Sequence, residues 1–436
     1  MRNPKLLATL LVAASLLAAG CSESSGAGAS GNSTTTVAQA IADCATAASI
    51  VACAPAGSML APFLPKTATA AHGTPIVLGT INQDTGAAGA FPELTAADKV
   101  AVDFINTELG GVDGHPIQLL TCNTDFNPDL SQSCAQEMVS KHVDAVIGGI
   151  DIWGTGIQTL ANNGIPYVGG IPVSSESAQT KVSFQFSGGT WGAALGMGEY
   201  AVQTLHAKKI AVIYADFGPI TDSAKLAKTA LERRGAHVDL ISVSAVNPDM
   251  VTALNQAAQT KPDAVIALTA DSGCKPTMLT ARQIGLKVPI MYTGACAAPK
   301  ILDSVGTAAQ GAIFNVEADL NPKSSDNALY NAIVDRYGPK YHYQAQSAGT
   351  VSFRAVINLY VVLRHLGFDK ITPRAIVDAF RASKNAPSFF GHPYTCDGHQ
   401  LPGYPAMCAP QQTLASSNHG SLEQLTGWID VGSFVG

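Results

Sequence analysis

Pro75-Ile-Val-Leu-Gly-Thr-Ile81 is a short β-branched run, closed by the turn-forming residues Asn82-Gln-Asp-Thr-Gly86 and followed at Thr95–Leu109 by a stretch with apolar residues at helical spacing. A buried strand feeding an amphipathic helix is the unit this pattern predicts. The unit recurs: Pro116–Thr121 then Leu130–Lys141, Asp144–Gly148 then Thr155–Asn163, and the short run Ile165–Val168. Strands alternating with helices of this length imply βαβ connections and a parallel sheet.

A second series begins after Phe184-Gln-Phe186. The helical stretch Trp191–Leu205 leads into Lys209-Ile-Ala-Val-Ile-Tyr214, then Ser223–Arg234, Val238–Val243, Val251–Thr260, Ala264–Leu268, Pro276–Ile284 and Val288–Tyr292. The fold class read from this order is α/β, with two Rossmann-like open-sheet lobes in tandem. Three further helical stretches, Asp326–Tyr337, Ser347–Leu366 and Pro373–Ser383, have no strand between them and are expected to return to the first lobe. The tail 385–436 reads as loop-rich. The expected lobes are therefore 74–188 with 317–385, and 189–316 with 386–436.

Ahead of the lobes, Arg2 and Lys5 precede the uncharged run Leu6–Ala19, and Leu17-Ala-Ala-Gly-Cys21 ends it in small residues. This is the pattern of a bacterial lipoprotein signal, residues 1–20, with Cys21 as the lipidated residue. The run is short for a membrane span. An ordinary cleaved secretory signal is the rival reading, because Leu17 stands one position early. Residues 21–36, rich in Ser, Gly, Ala and Thr, are expected to be a flexible spacer, and 37–73, with three prolines, a disulfide-pinned appendage. The chain is then expected on the outer face of the cell membrane, touching lipid through its anchor alone.

The 436 residues are 47% hydrophobic and 13% charged, a globular composition long enough for two cores. Twenty-six Lys and Arg against 32 Asp and Glu give a net charge of −6 with no basic stripe, so nucleic acid is not an expected partner. Setting Cys21 aside leaves eight cysteines, an even number suited to disulfides in an exported chain. Connectivity stays open, although Cys44/Cys53, Cys122/Cys134, Cys274/Cys296 and Cys396/Cys408 each fall within one apparent unit. Loops of this size contribute about 3 kcal/mol each in the chain-entropy model. There is no C-x-x-C or H-E-x-x-H motif to suggest a metal, and no cofactor is expected.

The stretches PIVLGTINQDTGAAG (75–89), FINTELGGVDG (104–114), Asn123-Thr-Asp125 and VDAVIGG (143–149) resemble the type I periplasmic solute-binding proteins, in the leucine/isoleucine/valine-binding group of ABC importers. KKIAVIY (208–214), KPDAVI (261–266) and GLKVPI (285–290) continue the resemblance into the second half. It implies two lobes joined by three crossovers, with a solute enclosed by hinge closure and passed to an ABC permease and its ATPase subunits. A monomer is expected. The solute of open α/β sheets sits outside the carboxyl ends of the strands.

On that resemblance, Ser174, after Pro172, falls where the family places a carboxylate-binding hydroxyl, and Phe91 falls near an aromatic wall. Asp151 and Ile152 stand near an expected serine, and an aspartate there repels a carboxylate unless it caps the helix beginning near Thr155. The acid that meets an α-ammonium in the family is missing from Thr293-Gly-Ala-Cys-Ala-Ala298, with Asp271 as its possible replacement. Trp153, Phe217 and Tyr292 lie on loops expected to face the cleft. Few charges and several aromatics suit a small, partly apolar molecule, whether amino-acid-like, an amide or a carboxylic acid.

Catalysis is disfavoured. No G-x-S-x-G elbow is present, Ser187-Gly-Gly-Thr-Trp-Gly192 has no catalytic signature beside it, and the ten histidines show no metal spacing. A ligand sensor of the same fold, signalling to a partner protein, is the alternative to import.

Overall fold

A computed structural model describes residues 47–436. The strands and helices of the first lobe are β1 (Ile76–Asn82), α1 (Pro92–Thr107), β2 (Ile117–Asn123), α2 (Pro128–Ser140), β3 (Ala145–Ile147), α3 (Thr155–Asn162), β4 (Tyr167–Val168), α4 (Ser175–Gln179) and β5 (Ser183–Phe184). They form a parallel five-stranded sheet in the order β2-β1-β3-β4-β5. The helices begin where proline can sit: Pro92 and Pro128 occupy the first turn, where the absent N–H is not needed. Asn127 caps α2 by accepting from the N–H groups of Asp129 and Leu130.

The second lobe contributes α5 (Gly189–Gln203), β6 (Lys209–Ala215), α6 (Gly218–Arg233), β7 (His237–Val243), α7 (Met250–Gln259), β8 (Ala264–Leu268), α8 (Asp271–Gln283), β9 (Ile290–Tyr292), α9 (Pro299–Val305) and β10 (Ile313–Val316). Helix α8 runs through Pro276 and does not begin at it, so its first turn reaches back to the cleft. Then come α10 (Ser325–Tyr337), α11 (Gly349–Leu366) and α12 (Pro373–Ala382), which pack with the first lobe, and finally β11 (Thr413–Asn418), β12 (Ser421–Gln424) and α13 (Val431–Val435). The two last strands make the tail more regular than the sequence suggests. They form an antiparallel hairpin on the second sheet, whose order is β12-β11-β10-β9-β8-β6-β7. His419 and Gly420, at φ 50° and 85°, supply the two left-handed positions of its two-residue turn. The polar strand Thr-Leu-Ala-Ser-Ser-Asn hides this in the sequence.

Each sheet has a core on both faces. Phe104, Ile147, Phe186, Phe353 and Tyr360 lie in one core of the first lobe, while Met138, Val146 and Leu160 lie in the other. Phe389, Phe390 and Tyr394 also join the first lobe's core, whereas Leu414 and Phe434 join the second's. Leu401 and Met407 already pack in the second lobe's core while Cys408 and Ala409 touch the first's, so the tail runs along both lobes before Leu414 enters the second sheet.

Residues 47–73 dock on the first lobe. Ile50 and Leu60 enter its core. The Ser58 hydroxyl donates to Asp326 at 2.6 Å, the Val51 N–H donates to Glu108 at 2.9 Å, and Arg336 donates to the Ala47 carbonyl at 2.6 Å.

Disulfides join Cys122 to Cys134, Cys274 to Cys296 and Cys396 to Cys408, as the spacing suggests. The fourth expected pairing, Cys44 with Cys53, is not placed in the same way. Cys53 is disulfide-bonded, but Cys44 lies ahead of residue 47 and so outside the described residues. The lipidation expected at Cys21, the signal and the spacer lie outside them too. Among the described residues no helix is long and apolar enough to cross a membrane.

Candidate functional site

The chain passes between the sheets three times, at 185–188, at 317–324 and at 409–412, and one buried knot ties these crossings together. Glu317 accepts from the Gly188 N–H at 2.8 Å on the first crossing and from the Gln412 amide on the third. The Ser187 hydroxyl also faces it. Arg354, buried in α11, donates to the Phe186 carbonyl at 2.8 Å and to the Glu317 carbonyl. Burial pushes the Glu317 carboxyl above its ordinary range, with the Arg354 guanidinium and the hydrogen bonds working against it. Burial likewise lowers Arg354 to about 10, while Glu317 opposes that shift. Asn315 extends the knot: its amide donates to Gln412 at 3.1 Å, and its carbonyl accepts from the Gly294 N–H at 2.7 Å.

Above the knot is a cavity of about 320 Å³ between the loops at the carboxyl ends of both sheets. Phe91, Ile152 and Val173 line it from the first lobe, Phe217, Ile220 and Leu268 from the second, and Ser187 and Glu317 from the crossings. It extends toward Tyr330 and Asn331 of α10 and Ser347 ahead of α11. The lobes touch around it. The Phe217 ring lies 5.2 Å from Trp153 and 5.9 Å from Phe126 across the mouth. Gln346 donates to the Ala297 and Gly420 carbonyls at 3.2 and 3.3 Å. Asp271 reaches the backbone at Ala90. Gly89, at φ 148°, permits this approach, since a Cβ there would lie 2.7 Å from an Asp271 oxygen.

The structure places the nine sequence-derived candidates in different settings. Phe91, Ile152 and Phe217 line the cavity. Trp153 stands edge-to-face with Phe217 at the mouth, and Pro172 packs its carbonyl against Gly189. Asp151 is buried, accepts from the Ser131 hydroxyl at 2.8 Å and faces the backbone N–H groups opening α3. Ser174 caps α4 in a reciprocal capping box with Ser177. Tyr292 is in the second lobe's core, its ring 5.6 Å from Phe314. Asp271 is raised by burial, with Lys300 opposing.

Sequence reasoning did not find Ser187, Asn315, Glu317 or the α10–α11 face. One signal was available. Arg354 is the one charge in the run Val351–Leu363, and a charge buried on such a helix needs a partner.

A family model described as "Periplasmic binding protein" matches residues 75–408. No protein with a curated description matches. Among solved structures, a leucine binding protein LivK from Thermotoga maritima is 16% identical, covers 80% of this chain and 98% of its own, and superposes with a TM-score of 0.65. A solute binding protein of an ABC transporter from Rhodopseudomonas palustris, in complex with 3,4-dihydroxy benzoic acid, is 18% identical over 82% of this chain and 98% of its own, with a TM-score of 0.67. A fatty acid ABC transporter substrate-binding protein from Thermomonospora curvata is 17% identical over 84% and 96%, with a TM-score of 0.67. At these identities the likeness is one of fold.

Proposed function

This chain belongs to the periplasmic binding protein family, and on that premise we propose that it captures a small, partly apolar solute between its two lobes and delivers it to an ABC importer. The observation that carries this reading is the cavity at the carboxyl ends of both sheets, walled mainly by apolar side chains from each lobe and closed over by interlobe contacts. A ligand touching both walls favours the closed arrangement over an open one, and that difference is the signal a permease reads. Phe91, Ile152 and Phe217 are the side chains we assign to the solute. The others lie close by and shape the site: Asp151 and Ser174 hold helix ends, Asp271 holds the lobes together, and Tyr292 supports the second wall from its core.

The proposed working unit is a monomer on the outer face of the cell membrane, tethered through lipid on Cys21. Its partners are the permease and ATPase subunits. The lobes divide near 188 and 317 in this reading. No step of it requires catalysis.

A thermal-shift screen of the purified protein against amino acids, amides, and aliphatic and aromatic acids tests the reading. A true solute at 100 times its dissociation constant adds about 2.7 kcal/mol of stability, a visible rise in the midpoint. Mass spectrometry of the membrane-extracted protein and of a Cys21→Ser variant checks the tether, since only the parent should carry lipid.

A further inference from the structure

We propose that the solute is uncharged: an amide or alcohol carried on a branched or aromatic hydrocarbon body, with carboxylates and zwitterionic amino acids rejected. This rests on the reading of the cavity as a solute site. Three observations lead to it.

The first is the lining itself. Among the described residues no Lys, Arg, His or Asp lines the cavity, and its one carboxylate is Glu317. That carboxylate already receives the Gly188 N–H and the Gln412 amide, with Ser187 and Arg354 beside it. A ligand ammonium would have to compete with this whole network. A ligand carboxylate would meet a like charge, while the Arg354 guanidinium lies outside the lining and is spent on the Phe186 and Glu317 carbonyls.

The second concerns the positive ends of helices, which are where an anion would otherwise dock. Several that face this cleft are already served from within the chain, although α6, which opens behind Phe217, has neither a side-chain cap nor an acid in its first turn. Asp151 sits at the start of α3, Glu317 takes the N–H ahead of α5, Asp271 opens α8, and Glu93 lies in the first turn of α1. At α4 the Ser174 hydroxyl does the same work. A carboxylate bound at α1, α3, α5 or α8 would therefore be a second anion at an end that already holds one.

The third is what remains free. The Asn315 amide is spent on Gly294 and Gln412, and the Tyr330 hydroxyl on Ala345 and Tyr343. Asn331 and Gln346 line the cavity with amides whose NH2 groups are engaged and whose carbonyl oxygens have no partner among the described residues. Neutral acceptors between apolar walls match a neutral donor group on an apolar body, because burying an unpaired charge costs far more than burying a hydrogen-bonded amide or hydroxyl.

The test is calorimetric titration of the purified protein at neutral pH with two matched sets: benzamide, benzyl alcohol, benzoate and phenylalanine, then isocaproamide, isoamyl alcohol, isocaproate and leucine. The dihydroxybenzoate bound by the Rhodopseudomonas protein is added as an aromatic acid. In at least one set the amide or alcohol should bind roughly a hundredfold more tightly than the acid and the amino acid of the same set. A carboxylate or amino acid that binds as tightly as its neutral counterpart overturns the inference and leaves solute capture standing. Binding by no member of either set counts against capture itself, and the inference falls with it.

Discussion

The hinge and the mouth of the cleft hold the same two lobes together by opposite means. At the hinge, Glu317, Arg354 and Gln412 bind three chain crossings through buried, directional hydrogen bonds. At the mouth, Phe126 and Trp153 meet Phe217 by ring contact, 5.2 to 5.9 Å between centroids, and the hydrogen bonds across the cleft come from the half-buried Gln346 and Asp271. Directional bonds made by buried charges to backbone and amide groups are lost only at the full cost of leaving a partner unpaired. Ring contacts lose dispersion and buried area, which water partly replaces, so they can part and re-form. A two-jawed molecule needs this asymmetry, with a pivot that does not come apart and a rim that does. The rim also stores some backbone strain, since Asp125 and Phe126 both hold left-handed φ values, 47° and 55°, to present the phenyl ring.

The sharpest way to break the comparison is at Arg354. Replacing Arg354 by Leu leaves Glu317 buried without its cation and frees the Phe186 carbonyl, so chemical denaturation should show a loss of about 3–5 kcal/mol. A loss below about 1 kcal/mol would mean that the knot is no stronger than a surface pair.

Glu317→Gln sharpens the same point through pH. Burial raises the Glu317 carboxyl above its ordinary value of 4.5, so between that value and its folded one the native state holds more protons than the unfolded state. Stability contributed by this group is then lost as pH rises through that window, by at most about 1.4 kcal/mol per pH unit. The glutamine variant lacks this term, so its stability relative to the parent should improve as pH climbs from 4.5 upward. Parallel curves for the two proteins would remove Glu317 as the source.

At the mouth, a double-mutant cycle with Trp153→Ala and Phe217→Ala should give a coupling of about 0.5–1.5 kcal/mol in solute affinity. Global stability should show less. Coupling of equal size in unfolding would make the ring contacts part of the folded core.

Ser174→Ala is expected to have the smallest effect on binding. It removes the α4 cap, costs about 1 kcal/mol of stability, and leaves the affinity for a neutral solute within about twofold. A large affinity loss without a stability loss would return Ser174 to the ligand.

The sheets were legible in the sequence because runs such as Ile76–Ile81 and Ile210–Tyr214 announce themselves by composition over a few residues. Strand β10 and the hairpin were not. Ile313–Val316 is short, and Thr413–Asn418 is mostly polar, one strand in from its sheet's edge. Part of the site was legible for the same local reason: Phe91, Ile152 and Phe217 lie on the loops that follow strands β1, β3 and β6, where loops must face the cleft. The knot was illegible because its parts, Ser187, Glu317, Arg354 and Gln412, come from four distant segments that meet only after both sheets form. Asp151 and Ser174 show the converse. The sequence placed them on the cleft-facing loops, but their side chains turn to the nearest unpaired backbone N–H groups, a competition that spacing alone does not decide.

The docking of residues 47–73 has a mechanical meaning. Ser58 and Met59 grip Asp326, Val51 and Arg336 share Glu108, and every one of these contacts is on the first lobe. Tension on the chain ahead of Ala47 is therefore borne by that lobe and stops there. It becomes a clamped jaw, and the travel of closing falls to the free one, whose swing a pull at the N-terminus neither helps nor hinders.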